Sequence, residues 1–244
     1  MPHRTFSAEE VAAYLHLSRP DVDSLVKDGA IPFEKRGERV VFRRSDIDAW
    51  ASQRILSLKE KRLAEYHLRS SQGARQVFAN EAIMPEMVQP DFIAPAMRGK
   101  TRASILREMV ALAEKTGRLC DPRDLLQSLE AREGLCSTAL PEGFALLHPR
   151  HHEPYMFASS FIVVGRPIQE IHFGAPDGRP TNLFFLICCQ DDRIHLHTLA
   201  RLCMMAMKTE VLPRLRAAPD ALAMFDVIVA SEQEVLEGKR HPTP

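Results

Sequence analysis

The chain has 244 residues, enough for one or two domains, and its 45% hydrophobic and 26% charged residues are ordinary for a globular protein. Its 32 Lys and Arg balance its 32 Asp and Glu, which argues against a polycationic nucleic-acid coat protein and against a long acidic tail. Residues 1–77 hold 14 basic and 11 acidic side chains, a net charge of +3, whereas residues 78–244 hold 18 and 21, a net charge of −3. No apolar run approaches the ~20 residues of a membrane span, and residues 1–10 lack the apolar core of a secretion signal.

The five cysteines indicate the redox environment of the protein. Their number is odd, and no two of them form a CxxC pair. This usage is typical of reduced thiols in a cytoplasm, rather than of a disulfide framework or a zinc knuckle. We therefore expect a cytoplasmic protein that has no membrane partner.

The first fifty residues predict a compact helical unit. Ser7, with a glutamate three residues later, matches the capping box of a first helix. Ser18 is expected to cap a second helix, which ends near Gly29. A short basic hairpin with Gly37 at its tip follows, and Ser45 is expected to cap a third helix.

This third helix is expected to continue to about Arg69, through the charge-rich residues 59–62. A solvated helical face and a dedicated binding stripe both fit this run of charges. Residues 70–74, Ser-Ser-Gln-Gly-Ala, have the composition of a flexible linker between the helical unit and the remainder of the chain.

The second part of the chain predicts an α/β domain. Helical periodicity indicates helices over residues 102–116, 122–131 and 194–207. Apolar, β-rich runs indicate strands over residues 156–164 and 181–189. Because strands separated by helices favour a sheet that is covered on both sides, we predict a three-layer α/β/α domain with a central mixed sheet.

Four spaced motifs accompany the predicted elements of the N-terminal unit: EEVAAYL at residues 9–15, SRP at 18–20, KDGAIP at 27–32 and FRRSDIDAW at 42–50. Together they resemble the excisionase and MerR-like winged helix-turn-helix family over about residues 5–54. The resemblance implies a second helix that enters the major groove of DNA and a hairpin wing that touches phosphate or the minor groove.

Basic side chains on the second helix and around the hairpin are the candidate DNA contacts, because they neutralise phosphate charge. They are Arg19, Lys35, Arg36, Arg39, Arg43 and Arg44. The second helix also carries Asp21 and Asp23, whose carboxylates are repelled by phosphates. Two interpretations therefore stay open: binding to double-stranded DNA, or a module retained for dimerisation or protein contact. A homodimer is left open as well.

Six of the ten histidines are clustered in the second part of the chain. They are His148, His151, His152, His172, His195 and His197. A neutral imidazole is a good nucleophile near pH 7, and an imidazole that accepts a phosphoryl group needs a fixed tautomer and positive donors. Arg132, Ser137 and Thr138 precede His148, and Arg150 follows it. Zinc ligation is the alternative, but no HExxH motif and no cysteine at ligand spacing accompany the histidines, so we expect neither a metal nor a cofactor.

Four motifs surround these histidines: AREGLCST at residues 131–138, EGFALLHPR at 142–150, DGRPTNLFFL at 177–186 and HLHTLARL at 195–202. In this order they resemble the enzyme IIA domains of the bacterial phosphoenolpyruvate-dependent sugar phosphotransferase system, in its fructose/mannitol and nitrogen-regulatory class, over about residues 80–237. The resemblance implies that His148 accepts phosphate from the phosphocarrier HPr, that His195 is the second histidine beside it, and that Arg132 steadies the phosphoryl group. The sequence departs from the family pattern after Thr138 and on both sides of His148.

The sequence as a whole predicts a cytoplasmic bacterial regulator of the phosphotransferase system that links phosphorylation to DNA binding. Its predicted parts are a winged helix-turn-helix domain over residues 1–54, a linker helix and linker over 55–79, an enzyme IIA-like domain over 80–238 and a tail over 239–244. If HPr or its homologue is the donor, the chain is expected to act as a phosphoryl carrier.

The alternative is a binding protein whose IIA-like domain is not phosphorylated. The opposite charges of the two parts further predict that a phosphoryl group draws the basic hairpin towards the IIA-like domain.

Overall fold

The structure is a computed structural model that describes residues 5–15, 17–37, 39–74, 81–150 and 155–240. Within these residues, the N-terminal unit contains three helices and a small antiparallel sheet of strand order β1-β3-β2. Its elements are β1 (Thr5–Phe6), α1 (Ala8–Tyr14), α2 (Arg19–Lys27), β2 (Glu34–Arg36), β3 (Arg39–Arg43) and α3 (Arg44–Ser57). This arrangement confirms the predicted helical unit with a hairpin between its second and third helices.

Local side-chain caps begin the first two helices as predicted. Ser7 and Ser18 each complete a capping box with the carboxylate three residues later. Gly29 follows α2, and Gly37 lies in the turn of the hairpin, both with a φ of 63° that favours glycine. The order of caps and turns therefore determines where each of these elements begins and ends.

The third helix differs from its prediction at both ends. Strand β3 passes directly into α3 at Arg44 without a side-chain cap, so the predicted cap by Ser45 is wrong. At the other end, Leu58 adopts an extended backbone with φ −67° and ψ 135°, and a separate helix, α4 (Glu60–Ala74), follows it. The helix predicted to continue to Arg69 is therefore two helices with a break between them.

The remainder of the described chain forms an α/β domain around a five-stranded sheet. Its elements are α5 (Met84–Met87), β4 (Ile93–Met97), α6 (Arg102–Lys115), α7 (Pro122–Leu135), β5 (Ala139–Leu140), β6 (Phe144–Leu147), β7 (Phe161–Pro167), β8 (Leu183–Cys188), α8 (Asp192–Lys208), α9 (Val211–Ala217) and α10 (Ala221–Arg240). The strand order is β4-β7-β8-β6-β5. The pairs β4–β7 and β6–β8 are parallel and the other two pairs are antiparallel, which confirms the predicted mixed sheet.

Helices cover both faces of this sheet. Along β8, Leu183, Phe185 and Ile187 belong to a core that also contains residues of α8, α3 and α4. The alternating residues Phe184 and Leu186 belong to a second core with α6 and α7, as expected for a strand that is buried on both faces. The three predicted layers are therefore present. None of the described helices combines the length and apolar character that crossing a membrane requires.

One predicted strand lies later in the chain than expected. The apolar run at residues 156–164 predicts a strand from Met156, but β7 begins at Phe161. Met156 and Phe157 are buried in the connection before β7, where Phe157 makes an isolated β-bridge. Apolar character reports burial, and burial is shared by strands and by well-packed connections.

Helix α4 occupies the segment that was predicted as a linker. Within this helix the hydroxyls of Ser70 and Ser71 donate to the carbonyl of His67, at 3.1 and 2.7 Å, and both serines are buried. Ser70 also contacts Nδ1 of His197 on α8, at 2.9 Å. The prediction of a linker at residues 70–74 is wrong, because these polar residues find their partners in the helix itself and in α8.

A buried charged network joins α4 to α8 and α10. On α8, the fully buried Arg201 pairs with Glu232 of α10 at 2.6 Å and donates from Nε to Nε2 of His67 on α4 at 2.7 Å. The Glu232 carboxylate also accepts the backbone N–H groups of Ile83 and Met84. Burial lowers the pKa of Arg201 and raises the pKa of Glu232, while their mutual attraction opposes both shifts. Each of the two side chains can therefore stay charged in the buried core only because the other neutralises it.

Replacing Glu232 by Leu should lower the free energy of unfolding by about 3–5 kcal/mol, because the Arg201 charge would stay buried without its counter-ion. The double variant Arg201→Met/Glu232→Leu should recover most of this loss, since neither charge remains. The exposed pair Arg214–Glu234, 2.7 Å apart, provides the control, and Glu234→Leu should change the stability by about 1 kcal/mol or less. Urea unfolding followed by circular dichroism measures all three variants. Equal losses for the two single variants would contradict the role of the buried pair.

Candidate functional site

The imidazole of His148, directly after strand β6, has a defined tautomer. Nε of Arg132 lies 3.1 Å from Nε2 of His148 and donates to it, because a guanidinium has no acceptor. The other ring nitrogen, Nδ1, lies 2.8 Å from the carbonyl oxygen of Leu146 and therefore carries the proton that it donates there. Nε2 is thus left with a lone pair, which is the form of imidazole that acts as a nucleophile.

Arg132 offers a further donor beside this nitrogen. Helix α7 continues four residues past its predicted end at 131, and this extension places Arg132 in its last turn. Nη1 donates to the carbonyl oxygen of Cys136 at 3.0 Å and lies 3.3 Å from its sulfur. Nη2 is buried and makes no hydrogen bond with any described residue. A buried guanidinium N–H without an acceptor is costly, and the oxygen of a bound anion would satisfy it.

His195 completes a pair of histidines. It lies in the first turn of α8, where Asp191 caps the helix by accepting the N–H of Ile194. The ring centroids of His148 and His195 are 4.9 Å apart, so both rings lie within reach of one tetrahedral phosphoryl group. The structure therefore brings together the three residues that the sequence predicted for the site, Arg132, His148 and His195.

A second set of contacts holds the loop that follows α7. The buried Glu133 carboxylate accepts both the N–H and the hydroxyl of Thr138, and burial raises the pKa of Glu133 although these hydrogen bonds oppose the shift. The Ser137 hydroxyl donates to the carbonyl of Phe173 at 2.6 Å. Ser137 and Thr138 therefore fix the loop that carries the Cys136 carbonyl, and they make their hydrogen bonds away from His148. Arg150 is exposed, and its backbone N–H donates to a serine hydroxyl on α7.

Helix α3 of the N-terminal unit contacts the site, and no pattern in the sequence predicts this contact. The Ser52 hydroxyl lies 3.3 Å from Nε2 of His195. Gln53 donates from Nε2 to the sulfur of Cys136 at 2.9 Å. Ser52 and His195 are separated by 143 positions, and neither belongs to a local pattern that would identify its partner. Among the described residues of the N-terminal unit, Ser52 and Gln53 of α3 therefore contact the site.

The structure describes two of the four remaining clustered histidines, His172 and His197. His197 stacks on His67 with ring centroids 5.1 Å apart, at the junction with α4. His172 is exposed, and His151 and His152 lie outside the described residues. Among the described residues, no group of three or more His, Cys, Asp or Glu side chains has the arrangement of a metal site.

Carboxylates accompany the basic residues that were predicted to contact DNA. On α2, Arg19 pairs with Glu9 and, at 2.9 Å, with Asp23. Arg36 and Arg43 both pair with Glu34, on the first strand of the hairpin.

The remaining candidates differ in their surroundings. Arg44 lies 4.0 Å from Asp48 on α3, whereas Lys35 and Arg39 are exposed on the hairpin. The hairpin therefore presents a basic edge whose charge is partly neutralised within the unit.

His148 is expected to carry its proton on Nδ1, since Arg132 occupies the lone pair of Nε2. A long-range 1H–15N correlation spectrum distinguishes the two tautomers by the shifts of the ring nitrogens. The exposed His172 serves as the internal reference, and it should show the exchanging mixture of an unconstrained imidazole. Arg132→Met should move the His148 signals towards that mixture. A proton on Nε2 of His148 in the unaltered chain would contradict the geometry.

Two relatives and two solved structures illustrate what the second part of the chain is similar to. It is 31% identical over 146 residues to a nitrogen regulatory protein of Bradyrhizobium diazoefficiens, covering 59% of this chain and 92% of that protein. It is 28% identical over 145 residues to the PTS system fructose-specific EIIABC component of Bacillus subtilis, covering 59% of this chain but only 22% of that protein.

The solved structures share the fold at lower identity. Nitrogen regulatory protein IIA-Ntr from Neisseria meningitidis superposes with a TM-score of 0.54 and 24% identity, over 60% of this chain and 99% of that one. IIA mannitol from Escherichia coli superposes with a TM-score of 0.50 and 17% identity, over 58% of this chain and 98% of that one. These likenesses confirm the fold of the second part.

Family models match both parts of the chain. A helix-turn-helix domain model matches residues 5–55, and the model of the phosphoenolpyruvate-dependent sugar phosphotransferase system, EIIA 2, matches residues 86–231. The second match spans more than half of the chain and includes Arg132, His148 and His195. The chain therefore belongs to the EIIA type 2 family of the phosphoenolpyruvate-dependent sugar phosphotransferase system, and it carries a helix-turn-helix domain on the N-terminal side.

Proposed function

We propose that this chain is a regulator that accepts a phosphoryl group on Nε2 of His148 from the phosphocarrier HPr or its homologue, and that it links this phosphorylation to DNA binding. The observation that carries the proposal is the Arg132–His148 contact, which leaves the proton on Nδ1 and the lone pair on Nε2. In the transfer, the Nε–H of Arg132 releases this lone pair, which attacks the donor's phosphorus while the donor's phosphorus–nitrogen bond breaks. The electron pair of that bond returns to the donor's imidazole, and the proton stays on Nδ1 of His148, hydrogen-bonded to the carbonyl of Leu146.

Arg132 and His195 would stabilise the charge that moves with the phosphoryl group. The buried Nη2 of Arg132 is the donor that a phosphoryl oxygen would satisfy, by a charge-assisted hydrogen bond. The ring centroid of His195 lies 4.9 Å from that of His148, and the ring would contact a second oxygen. Donors that are already in place act most strongly in a site from which water is excluded, and this site is buried.

Arg132→Gln should slow phosphoryl acceptance by on the order of 10²–10³, the loss typical of a missing oxyanion donor. The control is Arg123→Gln, which makes the same change on the exposed first turn of α7 and should leave the rate unchanged. The chain is incubated with phosphoenolpyruvate, enzyme I and HPr, and the acid-labile mass gain of one phosphoryl group is followed with time. His148→Ala should abolish the gain. Labelling of His148→Ala at the unaltered rate would overturn the assignment.

The alternative, in which the domain is a protein-contact platform without phosphorylation, makes a different prediction for the same experiment. It predicts no mass gain in the unaltered chain under conditions in which HPr itself becomes phosphorylated. The buried guanidinium nitrogen favours the phosphoryl acceptor over this alternative, because a contact platform has no need of an inward-facing cation.

DNA binding is supported by the helix-turn-helix fold and by the exposed basic edge of the hairpin. Lys35→Ala and Arg39→Ala should each weaken binding to all duplex sequences, and each should reduce the slope of log affinity against log salt by roughly one. Lys115→Ala, an exposed lysine at the end of α6, is the matched control and should leave the slope unchanged. Titration of labelled genomic fragments by fluorescence anisotropy at several salt concentrations measures the slope. An affinity that does not depend on salt would favour the protein-contact interpretation of this unit.

A further inference from the structure

We propose that helix α3 is a lid on the phosphoryl-acceptor site, so that the donor protein and the docked helix-turn-helix unit occupy the same surface in turn. While α3 is docked, a donor cannot reach His148, and a phosphoryl group on His148 keeps α3 away. This inference rests on the proposed function, whose regulation it describes.

The first observation is the enclosure of the reactive nitrogen. His148 is 2% exposed, His195 1% and Arg132 3%. Transfer between two proteins requires the donor's phosphorus to come within roughly 3–3.5 Å of Nε2 of His148, in line with the bond that breaks. A nitrogen inside the protein cannot be approached in this way by a second protein. An element that covers it must therefore move before transfer.

The second observation concerns helix α3, which contacts the groups beside His148. Ser52, itself 4% exposed, places its hydroxyl 3.3 Å from Nε2 of His195. One position later, Gln53 donates to the sulfur of Cys136, whose carbonyl accepts Nη1 of Arg132. Helix α3 thus contacts both of the groups that flank His148, the second histidine on one side and the loop of the arginine on the other.

The third observation is that Ser52 contacts the imidazole that a phosphoryl group would also contact. The rings of His148 and His195 are 4.9 Å apart, and the Ser52 hydroxyl lies 3.3 Å from Nε2 of His195. The group also adds roughly −1.5 to −2 of charge at neutral pH. A neutral serine hydroxyl is a weaker partner for His195 than such an anion. Phosphorylation is therefore expected to weaken the contact of Ser52 with His195.

A break between α3 and α4 would allow α3 to move while α4 stays in place. Leu58 is extended between α3 and α4. Helix α4 remains attached to α8 through His67, which accepts from the buried Arg201, and through Ser70, which contacts His197. The hydrogen bonds of α3 with the site join neutral side chains, whereas those of α4 include one from the buried, charged side chain of Arg201. Besides the apolar packing of Ala51 and Ile55, α3 has no buried charged contact of this kind among the described residues, so we expect α4 to stay docked when α3 leaves.

This direction of coupling differs from the one that the charges of the two parts predict. Attraction between a phosphoryl group and the basic hairpin would strengthen docking, but the side chains that contact the site belong to α3. Phosphorylation is therefore expected to release the helix-turn-helix unit, which changes its freedom to engage DNA.

An opened lid can be produced by overpacking the buried position. Ser52→Phe places a ring where a hydroxyl now meets His195, and Ser57→Phe makes the same change on the exposed face of α3. We expect Ser52→Phe to raise the initial rate at which phosphorylated HPr labels the chain by about tenfold or more, because the equilibrium between docked and undocked α3 shifts towards the undocked state. Ser57→Phe should leave this rate unchanged. Equal rates in all three proteins, with His148 labelled, would overturn the lid and leave the phosphoryl acceptor intact.

Alkylation of Cys136 measures the lid without any phosphodonor. Gln53 covers the Cys136 sulfur, whereas Cys120 is exposed and serves as the internal reference in the same molecule. Iodoacetamide should modify Cys136 about tenfold faster, relative to Cys120, in Ser52→Phe than in Ser57→Phe. If no protein accepts phosphate but Cys136 responds in this way, the proposed function fails while α3 is still a cover. An unchanged Cys136 rate would overturn the cover itself.

A closed lid provides the converse test and does not depend on Ser52. The Gln53→Cys chain is oxidised to form a disulfide with Cys136, which holds α3 on the site. The oxidised form should lose phosphoryl acceptance, and reduction should restore it. The unaltered chain, treated with the same oxidant and reductant, is the control and should be labelled throughout. Equal labelling of the oxidised and reduced variant, once mass spectrometry shows that the disulfide has formed, would overturn the lid.

Discussion

The packing of α3 and α4 on helix α8 is the contact on which the other features of this protein depend. One side of α8 lies on the sheet, and the N-terminal helices cover the other side, so polar side chains along its length are buried. A buried polar group needs a hydrogen-bond partner, and helices α3 and α4 supply several of these partners. Ser52 contacts His195, Ser70 contacts His197, and His67 accepts from Arg201. The two family domains are therefore joined along one helix by polar side chains, as well as by the chain that connects them.

The same helix brings the candidate site and the domain junction close together. His195 and Arg201 are six residues apart, which is roughly 9 Å along a helix. His195 belongs to the histidine pair, and Arg201 belongs to the charged network of α4 and α10. Under the lid proposal, a change at the histidines reaches the N-terminal unit by direct contact at Ser52. No long pathway through the sheet is needed, because the two-state element, α3, touches the site itself.

Features with a local cause could be predicted from the sequence. Ser7 and Ser18 cap their helices because the carboxylate that completes each box lies three residues away, and such short patterns can be read directly. The alternation of buried residues in β8 likewise follows from one apolar run. His148, His195 and Arg132 were identified because each lies within a motif that resembles one family, although they come from a strand end and two helices.

Features that depend on a distant partner could not be predicted in this way. Ser70 and Ser71 have the composition of a linker, but the helix that they join is stabilised by contact with α8, more than a hundred positions away. The cap expected from Ser45 failed because the strand before it leaves no loop for a cap to close. The contact between Ser52 and His195 has no signature in either segment, since a serine in the middle of a helix is ordinarily a solvated residue. The sequence therefore identified the groups of the site and left undetermined what covers them.

The contacts that α3 and α4 make with α8 differ in the free energy needed to break them. A hydrogen bond between neutral side chains, such as Ser52 to His195, contributes about 0.5–1.5 kcal/mol, whereas removing a partner from a buried charge costs about 3–5 kcal/mol. A phosphoryl group can shift an equilibrium only by its differential interaction with the two states, and typical couplings amount to 1–3 kcal/mol. That amount is comparable to the hydrogen bond between Ser52 and His195 and smaller than the cost of removing a charged partner from the α4 network. Under the proposed function, a phosphorylation signal is therefore sufficient to break the Ser52 contact, and the buried pair of Arg201 and Glu232 would keep the response from spreading into the core of the domain.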